Sequence, residues 1–324
     1  MKVSVVLPVH DEAQVIPELL RRLTTVLEEL DRDWEAVFVD DGSRDSSWDL
    51  LSAAAEGDDR IRAIRFSRNF GHQIALSAGL HMASGDSVIT MDSDLQHPPE
   101  LIPSLLARAD EGFDVIYAVR SSSDSSSLFK RASARLFYWL LNRVSSLELP
   151  QAGGDFRYMS RRVVNALLAM PERHRFLRGM TRWVGFEQAT IEYHRPPRAG
   201  GKSKYTLRKM FTLGWDAVVS FSSLPLRVAS LLGFMFSFFG LLYLAYVVAA
   251  RAFTDNTVAG WTSVVATVLV LGGVQLLCIG IIGQYLGRMY EEMKGRPLFL
   301  VADDTAHRDS AHELSGREES SPRR

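Results

Sequence analysis

VSVVL at residues 3–7, VIPELLRRLTTVLEEL at 15–30 and AVFV at 36–39 decide the fold of this 324-residue chain. The first and third runs are apolar, β-rich and end in polar residues. The middle run places Val15, Leu19, Leu23, Val26, Leu27 and Leu30 on one face at helical spacing. Strand, helix and strand in so few residues make a crossover, and a crossover joins parallel strands. The alternation continues, with strands at 61–66, 87–91 and 115–118 and helices at 73–83 and 99–109. The pattern predicts an α/β domain with an open, mostly parallel sheet and helices on both faces. Ligands bind such sheets beyond the carboxyl ends of the strands.

Acidic residues gather at those ends. The second strand runs into Asp40-Asp41-Gly42-Ser43, and the strand at 87–91 runs into Asp92-Ser93-Asp94-Leu95-Gln96. Clustered carboxylates repel one another unless a cation or hydrogen-bond donors compensate them. Asp92 and Asp94 sit two apart where strand passes into loop. Both can converge on one ion, with the Gln96 amide oxygen as a third ligand. All-oxygen ligation suits Mg²⁺ or Mn²⁺, and a site with few protein ligands leaves places for phosphate oxygens. A D-x-D is also ordinary turn chemistry, and Asp40-Asp41-Gly42-Ser43 also reads as a turn leading into a helix cap. On the residues alone both readings stand.

Charge is segregated along the chain. The formal net charge of −1 gives no whole-molecule attraction to nucleic acid. Most charged residues precede Arg227, and uncharged apolar runs follow at 228–250 and 258–287. About 20 apolar residues cross a hydrocarbon core, so both runs are long enough. Neither has the polar face expected of a core helix in a soluble domain. The short connector predicts a helical hairpin with transmembrane spans at 228–251 and 258–287.

Arg208, Lys209 and Arg227 flank the entry to the hairpin and Arg288, Lys294 and Arg296 the exit, with Arg251 at the far turn. The positive-inside rule then puts the large N-terminal domain and both termini in the cytoplasm, with the hairpin in the plasma (inner) membrane as a multi-pass anchor. Residues 206–227 mix Phe211, Leu213, Trp215 and Phe221 with basic residues, as an interfacial amphipathic helix does. Residues 302–324 are too polar to bury a core and read as a disordered tail. The single cysteine, Cys278, lies in the second run, which excludes a disulfide within the chain and any cysteine-based metal site. The N-terminus lacks the long apolar core and cleavage site of a signal peptide.

Three blocks now carry a resemblance. Val5-Val6-Leu7-Pro8-Val9-His10-Asp11-Glu12, Val39-Asp40-Asp41-Gly42-Ser43-Arg44-Asp45 and Met91-Asp92-Ser93-Asp94-Leu95-Gln96-His97-Pro98-Pro99-Glu100 resemble the signature blocks of family-two glycosyltransferases with a GT-A fold. Ser67-Arg68-Asn69-Phe70-Gly71-His72, Gly153-Gly154-Asp155-Phe156-Arg157, Gly201-Lys202-Ser203-Lys204-Tyr205 and the hairpin narrow the match. Together they are similar to the polyisoprenyl-phosphate glycosyltransferases, which include bactoprenol glucosyltransferases, undecaprenyl-phosphate aminoarabinose transferases and dolichol-phosphate mannose synthases.

The resemblance implies a catalytic GT-A domain over residues 1–205. Pro8, Val9, Glu12 and Asp40 would hold the nucleoside, with Asp41 close by. Asp92, Asp94 and Gln96 would hold the divalent metal on the sugar diphosphate. Arg120, Lys130 and Arg131 would receive the lipid phosphate. Asp155 would face that phosphate as candidate base, so that Asp155 and Asp94 form the catalytic pair. Lys202 and Lys204 either close over the diphosphate and exclude water or attract anionic headgroups. The implied partners are a nucleotide-sugar donor, a polyisoprenyl phosphate acceptor, the bilayer and a homo-oligomer, with a tetramer as one form. His10-Asp11 stands where the family usually has Tyr-Asn, which leaves the nucleotide base open.

Transfer from a nucleotide-sugar needs the leaving diphosphate stabilised as the anomeric bond breaks, and a metal on Asp92 and Asp94 would supply that charge. A phosphate acceptor with a second pKa near 6 is mostly dianionic at neutral pH, so Asp155 can orient it as well as deprotonate it. Glucose, mannose, N-acetylhexosamine and aminoarabinose donors all fit, with UDP-glucose taken first. A processive polysaccharide synthase would carry Q-x-x-R-W, but Gly179-Met180-Thr181-Arg182-Trp183 has Gly in the Gln place. A non-catalytic scaffold fits the intact acids poorly, and a channel subunit fits spans without ionisable side chains poorly.

Overall fold

A computed structural model describes residues 1–120, 153–193, 224–253 and 260–306. The chain divides into two units. Among the described residues the first comprises 1–120, 153–193 and 296–306, and the second 224–253 and 260–295.

In the first unit β1 (Val3–Val9) is buried at every position. Parallel β2 (Trp34–Asp40) flanks it on one side and parallel β4 (Ser87–Thr90) on the other. A strand buried on both faces has no alternation to show, which is why it reads as a continuous apolar run. β3 (Ile61–Phe66) pairs parallel with β2. Antiparallel β6 (Gly153–Ser160) inserts between β4 and β5 (Val115–Arg120), and β7 (Gln188–Tyr193) pairs parallel with β5. With β8 (Val301–Asp304) at one edge, the eight strands among the described residues run in the order β7-β5-β6-β4-β1-β2-β3-β8. The predicted α/β sheet is present, and most of its pairings are parallel.

The helices follow the crossovers. α1 (Ile16–Glu28) buries Ile16, Leu19, Leu23, Val26 and Leu27, the face that its spacing predicts. α2 (Ser47–Gly57) follows β2 and α3 (His72–Met82) follows β3. Gly79 of α3 lies so close to β1 that a Cβ there would run into the Val6 side chain. A short 3₁₀ turn, Pro99–Leu101, leads into α4 (Ile102–Asp110). α5 (Arg161–Leu168) and α6 (Leu177–Trp183) follow β6.

The residues from 302 on depart from the expected featureless tail. Val301–Asp304 form β8, antiparallel to β3. Arg62 makes a bidentate ion pair with Asp304 at 2.6 and 3.0 Å, and Thr305 Oγ1 accepts from the Ala63 amide at 3.0 Å. Polar side chains do not exclude an edge strand when a basic residue on its neighbour pairs with them. Residues 307–324 lie outside the described residues.

At the amino end of the sheet Glu35 ties three elements together. It takes Lys2 Nζ at 2.6 Å, Ser4 Oγ at 2.5 Å, and the amide and hydroxyl of Ser84 at 2.6 and 2.8 Å. Burial would raise its carboxyl, but Lys2, Ser4 and Ser84 outweigh burial and hold the pKa at about 2. A depressed carboxylate stabilises the fold above its unfolded value and loses that effect as pH falls through the folded value. Glu35→Gln is therefore expected to cost about 2 kcal/mol at pH 7, discounted for the exposure of Lys2. Denaturant titrations of both proteins should converge as pH falls from 4.5 toward about 2, and a constant difference across that range would refute the assignment.

In the second unit α7 (Leu224–Phe253) and α8 (Trp261–Met293) contain apolar windows at Leu224–Tyr243 and Val270–Met293, with mean hydropathies of 1.7 and 1.6. Only 6% and 0% of these windows are buried, so neither behaves as a core helix. Cys278 Sγ lies 3.6 Å from the Ala229 carbonyl, where α8 passes α7. Both helices outrun the apolar runs read from sequence, α7 starting before 228 and α8 extending past 287 through Arg288, Glu291 and Glu292. A 30-residue helix is ~45 Å long, more than the hydrocarbon thickness, so helix ends and hydrophobic ends need not coincide. Of the expected interfacial helix at 206–227, residues 224–227 belong to α7 and the rest lies outside the described residues.

Candidate active site

The carboxyl ends of β1, β2 and β4 lie side by side, and the loops leaving them are bound together. The Asp41 amide donates to the Val9 carbonyl at 2.8 Å, and Ser93 Oγ donates to the Pro8 carbonyl at 2.9 Å. The Asp11 amide donates to Ser43 Oγ and the Glu12 amide to Ser47 Oγ, each at 3.0 Å. Pro8, Val9, Glu12, Asp40 and Asp41 thus come together at the ends of β1 and β2. The pair Asp40 and Asp41 divides its work. Asp41 accepts from the amides of Phe70 at 2.6 Å and Gly71 at 2.9 Å, so its carboxylate holds the loop before α3. Burial raises the Asp41 carboxyl, and the two amides offset that in part. Asp40 is fully buried. Its Oδ1 accepts from the Ser43 amide at 2.9 Å, while its Oδ2 has no hydrogen-bond partner, with Arg65 Nε 3.5 Å away.

β4 ends at Thr90, which puts Asp92 and Asp94 in the loop that follows. Asp94 Oδ1 accepts from the Gln96 amide at 3.1 Å, and Leu95 adopts φ 59°. A left-handed leucine is uncommon and costs backbone energy, and such residues concentrate at functional sites. His97 Nδ1 accepts from the Asp92 amide at 2.9 Å, and its buried ring stacks on Phe156 at 5.1 Å. Asp92 Oδ1 is buried and makes no hydrogen bond. A carboxylate oxygen left in that state fits a cation, because a buried polar atom without a hydrogen bond is otherwise costly.

β6 runs against β4, so its first residues arrive at the carboxyl end of β4. Thr90 opposes Arg157, and the Thr90 hydroxyl donates to the Asp155 carbonyl at 2.6 Å. The Asp155 carboxylate is buried among donors: Arg157 Nη2 at 2.7 Å, Arg178 Nη2 at 2.9 Å and Nε at 3.1 Å, His72 Nε2 at 3.2 Å and Gln73 Nε2 at 3.4 Å. Burial would push this carboxyl up, but Arg178, His72 and Arg157 hold it well below the usual carboxylate range. Arg157 is itself buried and donates to Thr181 Oγ1 at 2.7 Å. The same His72 Nε2 lies 3.4 Å from Asp92 Oδ1. Burial lowers the His72 pKa, and the Asp155 and Asp92 carboxylates outweigh it to give a net rise. Ligand atoms of His72, Asp92 and Asp155 all lie within 4.8 Å of one another.

The structure thus joins the expected Asp92 and Asp155 through residues to which sequence reasoning gave no role: His72, Gln73, His97, Arg157 and Arg178. His72 and Arg157 stand inside quoted blocks, so position could have flagged them. Arg178 carried no signal, because it reaches Asp155 from a separate helix. Arg120 closes β5 opposite Tyr193, but its side chain is outside the described residues, as are Lys130, Arg131, Lys202 and Lys204.

Acids at the ends of three adjacent parallel strands, crossed by an antiparallel strand that delivers a fourth, define a GT-A-like domain. The sequence model of glycosyl transferase family 2 matches residues 4–168, and that of the GtrB C-terminal hairpin matches residues 224–289. The chain belongs to glycosyltransferase family 2 and is a glycosyltransferase. It is 42% identical over 298 residues to YkcC, an uncharacterized glycosyltransferase of Bacillus subtilis, covering 92% of each chain. It is 39% identical over 301 residues to the SfII prophage-derived bactoprenol glucosyl transferase of Shigella flexneri, covering 93% of this chain and 97% of that protein. Among solved structures, glucosyl-3-phosphoglycerate synthase of Mycobacterium tuberculosis, in complex with Mn²⁺, uridine diphosphate and phosphoglyceric acid, superposes with a TM-score of 0.46 at 18% identity, covering 67% of this chain and 76% of that one.

Proposed function

We propose that this protein transfers a single sugar, with glucose from UDP-glucose as the first candidate, to a polyisoprenyl phosphate such as undecaprenyl phosphate, with inversion at the anomeric carbon. The observation that carries the reading is Asp92 Oδ1, a buried carboxylate oxygen without a hydrogen-bond partner at the mouth of a GT-A-like sheet. The names of the relatives support the acceptor class, and two membrane-length helices on the same chain support an acceptor that stays in a bilayer.

Asp92, with Asp94 and Gln96, would hold Mg²⁺ or Mn²⁺, which when bound supplies positive charge to the leaving diphosphate. Asp155 already carries two guanidiniums, so the cation belongs on the Asp92 side. Asp40, whose buried Oδ2 makes no hydrogen bond within the protein, would hold the nucleoside beside Pro8, Val9 and Glu12. A carboxylate ion-paired to Arg157 and Arg178 is a weak base, which favours orientation over proton removal for Asp155. Arg120, Lys130 and Arg131 would take the acceptor phosphate, and Lys202 and Lys204 would close over the diphosphate. We further read the catalytic domain and both termini as cytoplasmic, with the hairpin in the plasma membrane and the chain in a homo-oligomer.

The test is transfer by full-length protein in detergent to undecaprenyl phosphate, from a panel of UDP- and GDP-sugars, with Mg²⁺, Mn²⁺ or chelator. Mass spectrometry of the organic phase is expected to find a one-sugar lipid phosphate that disappears with chelator and in Asp94→Ala. Long polymer, or product undiminished by chelator, would count against the reading.

A further inference from the structure

Within the first unit, residues 299–305 run as a strap along β3 and the loop that follows it. Phe299 stacks on Phe66, the last residue of β3, with centroids 5.1 Å apart and an interplanar angle of 19°. Phe66 in turn meets Phe70 edge-on at 5.6 Å. The Ser67 amide donates to the Leu300 carbonyl at 3.0 Å, and β8 with its Arg62–Asp304 pair anchors the far end of the strap. The loop 67–71, which starts where β3 ends, is therefore held from outside by residues 299–301.

That same loop holds the acidic residues from inside. The Phe70 and Gly71 amides are the donors on Asp41. Asn69 Nδ2 lies 3.1 Å from a ring nitrogen of His10. Gly42 has φ +67°, and a Cβ on it would sit 2.6 Å from the Arg68 carbonyl carbon and 2.7 Å from the Asn69 nitrogen. The loop thus lies directly on the turn that carries Asp40, whose buried Oδ2 makes no hydrogen bond. His72 follows Gly71 and reaches Asp92 and Asp155. A shift of loop 67–71 therefore moves the two amides on Asp41 and, through His72, the contacts to Asp92 and Asp155.

We infer that segment 299–305 supports the nucleotide-sugar site from outside, with Phe299 the positioning residue that fixes loop 67–71 in the conformation that engages Asp41 and backs the turn of Asp40. Phe299 touches no donor in this scheme. It acts through Phe66, Phe70 and the two amides on Asp41. The inference deepens the proposed function and rests on it for the identity of the donor.

Two measurements on full-length protein in detergent test it. In hydrogen exchange read by mass spectrometry, Phe299→Ala is expected to speed exchange of a peptide spanning 67–76 about tenfold, the equivalent of ~1.4 kcal/mol, with β1 and β4 peptides unchanged. That loss is in the range of one aromatic pair. In transfer assays with UDP-glucose, Phe299→Ala is expected to raise the donor KM about tenfold with kcat within roughly twofold, and Phe299→Tyr, which keeps the ring, to restore the wild-type KM. Unchanged exchange at 67–76, or faster exchange spread evenly over the sheet, would overturn the inference. So would a fall in kcat at constant KM. If wild-type protein transfers nothing from UDP-glucose, the proposed donor fails, and the exchange arm, which needs no ligand, decides the strap by itself.

Discussion

Asp92→Asn is expected to reduce sugar transfer by about 10³-fold or more, ~4 kcal/mol in the barrier, while leaving thermal stability unchanged or slightly raised. The two halves of this result come from the same atom. Asp92 Oδ1 is buried and forms no hydrogen bond, and its one close cationic neighbour among the described residues is His72 at 3.4 Å, so the fold gains little from its charge. The fold uses the backbone instead, through the Asp92 amide on His97 Nδ1, and an asparagine keeps that bond. An asparagine also fills nearly the same volume. It removes a negative oxygen that no hydrogen bond satisfies and that faces only the His72 ring, at 3.4 Å, which is the feature a cation would need. Initial rates beside unfolding midpoints separate the outcomes. A variant that keeps wild-type transfer would remove Asp92 from the chemistry, and one that melts far below wild type would make it a structural carboxylate.

Asp155→Asn is expected to behave in the opposite way, losing both transfer and about 3 kcal/mol of stability, a fall of roughly 10 °C in Tm. Arg157 is 2% exposed and depends on Asp155 Oδ1 at 2.7 Å for its counter-charge. Removing one member of a buried pair leaves the other charge uncompensated, and that is the costly step. Arg178 is 37% exposed and can turn to water, so its loss of a partner adds little. Replacing Arg157 as well, as Asp155→Asn with Arg157→Met, should return most of the stability and none of the activity. The sign with pH follows from the depressed carboxyl. The Asp155 contribution is complete above about pH 4 and is lost as pH falls toward the folded value. A general base with no structural duty would instead give an inactive variant of normal Tm.

Where the backbone follows simple periodicity the sequence was legible. β3 occupies Ile61–Phe66 as its apolar run predicts, and α1 buries the residues that its spacing puts on one face. Periodicity fails for β6, which opens on two glycines and carries Asp155 and Arg157 into the interior. Charged residues normally mark a surface, and only the ion pair makes these two buried positions tolerable. β8 fails for a related reason, since Asp303 and Asp304 look like a solvated tail until Arg62 is placed beside them. In the site, Asp92 and Asp94 stood out because both belong to one short stretch. The duty of Asp41 was not visible, since a turn acid that binds two backbone amides of another loop has the same local sequence as one that binds a ligand. Gly179-Met180-Thr181-Arg182-Trp183, weighed as a possible polymer-binding motif, lies wholly on α6, where Thr181 serves Arg157 and Arg182 donates to Gln188 at 2.8 Å.

The pairing of β3 with β8 also has a consequence for biosynthesis. Arg62 and Asp304 are 242 residues apart in the chain. At about 5–20 residues per second, β3 leaves the ribosome roughly 12–48 s before its partner is made. Through that interval the nascent sheet has an open edge, a template for wrong pairing. Both long helices are synthesised in the same interval. β8 can dock only after both long helices have been synthesised, so this edge of the catalytic sheet closes later than any other pairing among the described strands.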